Sequence, residues 1–468
     1  MEISGKSLRV HRQSLGLSQA KLAELSSVPQ HLLSAFELGK SNLANIHIEA
    51  VARSLVNTSE IEKLTKREKR YQAHQYSDVP KIANRVRRAS QTDENPQYIK
   101  LLQQLAMQHS QDKSGGPTAL SLFAGCGGFS LGFSAAGFNV KGFLELEPEL
   151  RAIYRLNFPS SMELGGDITG VSAADLRQFR EALGEVDVII GGPPCQGFSL
   201  SGKRDIADPR NTLFKHYLRF VDTFRPKIAV LENVRLLTSM KDTDGKLVKD
   251  QIASDFRMHG YKVKFFEINS KSYGVPQSRE RVIFVACRDD IKQTPTIPDP
   301  THGQADDLFA NVKNFRTFGD ACSDLEFLES GESATDSLHE AVHHPKHVIE
   351  WLWNVPEGRS AHDNVDENLR PPSGYNTTYK RQVWSEPAST VQTTFGMISG
   401  SNNVHPIATR SLTIREAARI QSFPDEYIFS GTLGTIRKGI GNAVPPLLAN
   451  QLGNHVLKLL NLVKVSSL

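Results

Sequence analysis

Cysteine is scarce in this chain, with four residues in 468, at positions 126, 195, 287 and 322. So few and so scattered, they exclude a disulfide framework and a paired-cysteine zinc site, and free thiols in a reducing cytoplasm are expected. Long apolar runs are missing too. None reaches the roughly 18 to 20 residues that span a bilayer. The N-terminus MEISGKSLRVHRQ lacks an apolar signal core, so neither a membrane nor export is expected. No internal repeat is visible.

What is present fits a soluble protein of two or three domains, since 468 residues exceed one ordinary core. The net charge of +4 is small but unevenly placed. Residues 1–113 carry 17 Lys/Arg against 11 Asp/Glu, and the remaining 355 carry 38 against 40. Within the basic part, residues 63–88 hold nine basic and two acidic side chains, which suits either a solvated linker or contact with phosphate.

Residues 1–60 read as a small all-α domain. In LGLSQAKLAELSSVPQHLLSAFELGK, Ser18 is placed to cap a helix bearing Leu22, Ala23 and Leu25. Pro29 suits the first turn of a second helix bearing Leu32, Leu33 and Phe36, and Gly39 ends it. Residues 61–116 read as a basic, partly helical connector closed by SGGP. From Thr118, the short apolar runs TALSLFA, VDVIIGG, KIAVLEN and RVIFVAC alternate with helical patterns, as in a parallel sheet buried on both faces. That texture dissolves at about 289 and returns after about 405, at LTIREAARIQSF and PPLLANQLGNHVLKLL.

In a doubly wound sheet, ligands sit at the carboxyl ends of strands. Here those ends carry a glycine loop (Gly125, Gly127, Gly128), the turn GGPPCQ with Cys195, and Glu232 with Asn233. The glycine loop fails the dinucleotide pattern because Ser130 stands where its last glycine belongs. Glu145, twenty residues after Gly125 at the end of the next strand, suits ribose hydroxyls. A nucleoside without a pyrophosphate fits better than a dinucleotide.

Six motifs, FAGCGGFSLGF, GGPPCQGFS, LENV, QSRERVIFVA, LTIREAARIQSFPD and GNAVPP, stand in the order of the cytosine-5 DNA methyltransferases, and over about 118–288 and 408–460 the chain resembles that family. The resemblance implies a Rossmann-like α/β S-adenosylmethionine-dependent methyltransferase fold, formed from 117–288 and a returning 406–468. It makes 289–405 a small target-recognition domain. The cofactor implied is S-adenosyl-L-methionine, held by Phe123, Gly125, Gly127, Gly128, Glu145, Leu146, Asp167, Ile168, Pro193, Asn442 and Val444. Leu146 stands where the family often has an aromatic residue. The substrate implied is cytosine in double-stranded DNA, contacted by Gln196 and Ser199 beside the catalytic Cys195, Glu232, Arg279 and Arg281. The setting implied is a restriction–modification enzyme in a prokaryotic cytoplasm, at the nucleoid. A tRNA cytosine-5 methyltransferase and a regulator with an inactive enzyme body are the alternatives.

The chemistry accounts for the residue types. Cytosine C5 is a poor nucleophile until something adds to C6, and a thiolate both attacks and leaves readily. A protonated Glu232 hydrogen-bonds N3 and offsets the charge that attack creates. Arg279 and Arg281 bring positive charge to base and thiolate. Because the reacting carbon is inaccessible in a stacked duplex, the cytosine has to flip out.

Residues 18–39 resemble the helix-turn-helix of the phage-repressor and Cro family, with Ser27 where that family usually has glycine. Gln30, His31 and Ser34 are then the groove-facing residues, Gln19 a phosphate or base contact, and a homodimer on a separate operator is implied. A competing pattern, HEAVH at 339–343, has zinc-protease spacing but needs a helix that Pro345 disfavours, so no metal is expected.

Overall fold

The computed structural model describes residues 5–15, 17–40, 85–194, 213–242, 245–304 and 312–460, with isolated positions between 47 and 55. The chain divides into two compact units, Met1–Ile82 and Ala83–Leu468. The catalytic turn from Cys195 through Gln196 and Ser199 lies outside the described residues.

In the first unit, helices α1 (Gly5–Ser14), α2 (Gln19–Ser26) and α3 (Gln30–Glu37) enclose a core that includes Leu8, Leu22, Val28, Leu33 and Phe36. Ser18 caps α2 by accepting from the Lys21 amide at 3.1 Å. Ser27 ends it in the left-handed region, at φ 54°. Pro29 occupies the N-cap of α3 rather than its first turn. Gln30 and His31 are exposed and Ser34 is half-buried. Gln19 departs from its expected role: its amide donates to Glu37 at 2.7 Å, and Glu37 is itself paired with the buried Arg12 at 2.6 Å. That bond turns the Gln19 amide nitrogen towards Glu37.

The second unit begins within the expected connector. Residues 61–84 lie outside the description, but helix α4 (Asn95–Ser110) packs Tyr98, Leu102 and Leu105 into the main core. Strands follow as β1 (Thr118–Leu122), β2 (Asn139–Leu144), β3 (Met162–Glu163), β4 (Val188–Gly191), β5 (Ile228–Val234), β6 (Tyr261–Asn269), β7 (Gln277–Ser278) and β8 (Glu280–Arg288). Seven of them form one sheet in the order β3-β2-β1-β4-β5-β8-β6. The first five in that order are parallel. RVIFVAC, read above as a parallel strand, is instead β8, antiparallel to both neighbours.

Alternate side chains feed two cores, one on each face. Ala119, Val188, Ile190 and Val230 join one cluster, while Leu120, Ile189, Ala229 and Leu231 join the other. Helices α5 (Gly128–Ala136) and α6 (Pro148–Asn157) cover the first face. The second is covered by α7 (Ala173–Leu183), α8 (Leu213–Phe224) and α9 (Val248–Met258).

Residues 289–405 are mostly irregular, with α10 (Phe318–Cys322), α11 (Lys346–Leu352) and a small separate core of Val348, Leu352, Val355, Ala361, Ile398 and Val404. The chain then returns through α12 (Ile414–Ile420), α13 (Leu433–Asn442) and α14 (Pro446–Leu459). Helix α14 lies tightly on α5. A Cβ at Gly132 would fall 2.5 Å from the Pro446 carbonyl oxygen, so only glycine permits that approach.

Candidate active site

The ladder register builds the site. Leu144 of β2, Leu122 of β1, Gly191 of β4 and Leu231 of β5 are neighbours across the sheet. The next residue on each chain, Glu145, Phe123, Gly192 and Glu232, therefore stands in one row at the carboxyl edge. Four motifs distant in sequence thus meet along one line.

At one end of the row, Glu145 is buried and its oxygens accept from the Gly125 amide at 2.7 Å and the Glu147 amide at 3.0 Å. Burial raises its pKa above the ordinary carboxylate value, and those amides oppose the rise. Phe123 leaves β1 with φ 54°, and Gly127 follows at φ 97°, where a Cβ would also fall 2.9 Å from the Phe158 ring. The loop therefore needs glycine there. Leu146, beside the buried carboxylate, is 63% exposed, an unusual amount for a leucine and enough to offer an apolar face. Asp167 is exposed and accepts from the Thr169 amide and hydroxyl, while Ile168 is buried. Val444 closes the loop from the other side. Its carbonyl oxygen would stand 2.5 Å from a Cβ on Gly128, and the neighbouring Asn442 is exposed.

At the other end, Glu232 on β5 pairs with Arg281 on β8, Arg281 Nε to Glu232 Oε1 at 2.6 Å. Register explains the meeting: Arg281 faces Val234 and Ile283 faces Glu232, so acid and base are diagonal neighbours on one face. Gly192 lies against the same carboxylate, where a Cβ would be 3.0 Å from Glu232 Oε2. Arg279 behaves differently from its expected role at the base. It is 2% exposed, and its guanidinium donates to the carbonyls of Val391 at 3.2 Å and Gly441 at 2.8 Å. Burial lowers its pKa, and Arg281 nearby adds to the effect. Arg279 thus fastens the loop after β7 to the segment ahead of Asn442.

Asn233, placed by the sequence beside Glu232 at the carboxyl edge without a role of its own, has a positioning contact. Its side-chain amide donates to the Pro193 carbonyl at 2.9 Å, tying the turn that leads to Cys195 to the strand that carries the acid. Gln277 was missed. It is buried, donates to Gln421 at 2.9 Å and accepts from the Val391 amide at 2.9 Å, and it opens the QSRERVIFVA motif, where no role was assigned to it. The HEAVH segment is not helical. His339 is buried with its ring nitrogens against Thr413 Oγ1 at 2.9 Å and the Glu326 carbonyl at 2.8 Å, so it does not present the zinc-protease face.

The model of the C-5 cytosine-specific DNA methylases matches residues 118–458. The chain belongs to that family. Its relatives include the type II methyltransferase M1.HphI of Haemophilus parahaemolyticus, 39% identical over 73% of this chain and 87% of that protein. The type II methyltransferase M.DdeI of Desulfomicrobium norvegicum is 37% identical over 72% of this chain and 88% of its own length. Among solved structures, one described as a DNA modification methyltransferase encoded within an Escherichia coli prophage covers 74% of this chain and all of its own, with a TM-score of 0.58 at 24% identity. That likeness supports the α/β fold. As a C-5 DNA methyltransferase, the protein acts on cytosine in DNA and uses S-adenosylmethionine as methyl donor. The edge row fits such a donor: a buried carboxylate stands beside an exposed aliphatic face and a loop with no room for a Cβ at Gly127 and Gly128. No helix among the described residues is long and apolar enough to cross a membrane.

Proposed function

We propose that this protein is the modification methyltransferase of a type II restriction–modification system, acting on a flipped cytosine in double-stranded DNA. The observation that carries this reading is the row Glu145–Phe123–Gly192–Glu232, which brings the carboxylate assigned to the donor onto the same sheet edge as an acid held by Arg281. Glu145, Leu146, Asp167 and Ile168 are assigned to the nucleoside of S-adenosylmethionine, with Phe123, the glycine loop, Pro193, Asn442 and Val444 around it. When bound, that cofactor supplies an electrophilic methyl group.

The chain's own residues do the rest. Cys195, three residues beyond Gly192, gives up its proton and bonds to cytosine C6, and the ring electrons move to C5. Glu232 shares a proton with N3, and Arg281 keeps the carboxyl aimed at it. Once C5 carries the methyl group, loss of its proton to a solvent base and then of the thiolate from C6 restores the aromatic ring. Asn233 and Arg279 position this machinery, while Gln196 and Ser199 are assigned to the DNA around the flipped base. Residues 289–405 are assigned to reading the target sequence. Bisulfite sequencing of DNA from cells producing the protein is expected to show one short sequence fully methylated. Absence of any methylated site, or transfer to tRNA in preference to DNA, rejects the assignment.

The first unit is assigned a second task, binding an operator as a dimer and so regulating its own gene or a neighbouring one. The exposed pair Gln30 and His31 at the start of α3 supports this reading. The double variant Gln30→Ala, His31→Ala is expected to weaken promoter binding at least about tenfold and leave methylation within about twofold. Equal losses in promoter-reporter and methylation assays reject separate tasks.

A further inference from the structure

Residues 85–95 lie outside the span that matches the family, yet they are fastened to the part of the chain assigned to target reading. The guanidinium of Arg85 lies 4.0 Å over the Trp353 ring and donates to the Trp353 carbonyl. It also donates to Thr409 Oγ1 at 3.1 Å and approaches Glu329 at 3.4 Å. Arg88 pairs with Glu357 at 2.5 Å. Thr92 and Asn95 complete the attachment, donating to Asp320 and Asp324, each at 2.8 Å. The charge at 85, open in sequence to a role in phosphate contact, is thus turned inward, while the exposed Arg88 is engaged by a carboxylate.

The attachment reinforces a junction that backbone pairing also makes, at Val404 with Ser411 and at Ala388 with Gln277. Glu329 and Trp353 belong to the irregular 289–405 stretch, whereas Thr409 belongs to the returning segment of the catalytic body. Thr409 is itself held from both sides, its amide donating to Glu329 at 2.7 Å and its hydroxyl accepting from Arg381 at 2.9 Å. Arg85 therefore sits at a junction between the two. Other anchors, such as Arg415 to Asp336 at 2.5 Å and Arg419 to Asp324 at 2.6 Å, come from within the family span. Arg85 brings one from outside it.

We propose that residues 85–95 are a strap that sets the position of the target-reading region, with Arg85 as its principal positioning residue. Recognition of DNA by the methyltransferase then depends on a segment that precedes the family's own domain. This rests on the assignment of 289–405 to sequence reading. The mechanism is geometric. A displacement of about 1 Å at a reading surface is enough to cost up to a hundredfold in productive binding, without touching the reacting groups.

The test measures steady-state kinetics of the full chain on two duplexes, one carrying the site found by bisulfite sequencing and one with that site scrambled. Arg85→Ala is expected to raise KM for the cognate duplex about tenfold, leaving kcat and S-adenosylmethionine affinity within about twofold and the scrambled duplex unaffected. Arg85→Lys keeps the charge but loses the planar stack and fork, and is expected to fall between the two. It also serves as the deciding variant should Arg85→Ala not fold. Unchanged KM on both duplexes, even with a lower melting temperature, overturns the strap. An equal rise on both duplexes overturns the sequence-reading assignment on which it rests.

Discussion

Cys195→Ser is expected to slow methyl transfer at least about a thousandfold while leaving the fold and DNA affinity in place. The substitution changes one atom, sulfur to oxygen, and little in volume. A free thiol is already about 3% ionised at pH 7, whereas a serine hydroxyl at that pH is essentially never an alkoxide. The turn leading to residue 195 keeps its anchor, since Asn233 binds the Pro193 carbonyl and not the thiol. DNA carrying 5-fluorocytosine at the target supplies an independent readout. Fluorine at C5 prevents the final proton loss, so the wild-type protein should remain on the DNA through denaturation and the variant should come off. A variant that keeps more than a few per cent of wild-type turnover rules out the covalent route.

Glu232→Gln carries the second-largest expected effect, a fall in kcat of about a hundredfold to ten-thousandfold. Glutamine preserves size and offers Arg281 an oxygen in place of the one now held at 2.6 Å. It cannot hand a proton to cytosine N3 or take one back, so the charge created by attack at C6 is left without relief. The loss should appear in kcat and in the rate of adduct formation with 5-fluorocytosine. Affinities for DNA and S-adenosylmethionine should stay within about twofold, because Glu145 and the glycine loop are untouched. A kcat within tenfold of wild type would remove Glu232 from proton transfer. An equal loss in cofactor binding would instead assign it a structural part.

The three central parallel strands, β1, β4 and β5, were legible in the sequence because they are buried on both faces and so appear as apolar runs. TALSLFA and VDVIIGG contain β1 and β4, and KIAVLEN contains most of β5, which runs on to Val234. Strand β6 was not legible. YKVKFFEIN lies at the sheet edge, mixes exposed with buried positions and so resembles ordinary polar sequence. The direction of β8 was not legible either, since burial makes antiparallel and parallel strands look alike. That direction is what brings Arg281 to Glu232 while Arg279 is buried among the carbonyls of Val391 and Gly441. Two arginines two residues apart read as equivalent in sequence, yet they occupy different environments. The connector shows the same limit. A count of charges cannot tell whether Arg85 and Arg88 face phosphate or carboxylates more than 200 positions along the chain.

The close seating of α14 on α5 also orders events in time. The described core residues of the first unit end at Leu55, whereas α5, one of the first helices of the catalytic body, lacks its cover until Leu459 is added. At ribosomal speeds of about 5 to 20 residues per second, the roughly 400 residues between them take about 20 to 80 seconds. Throughout that interval, a nascent chain carries the described core residues of its N-terminal unit ahead of a catalytic body with an open seam. A chain cut short by a premature stop keeps the first and never closes the second.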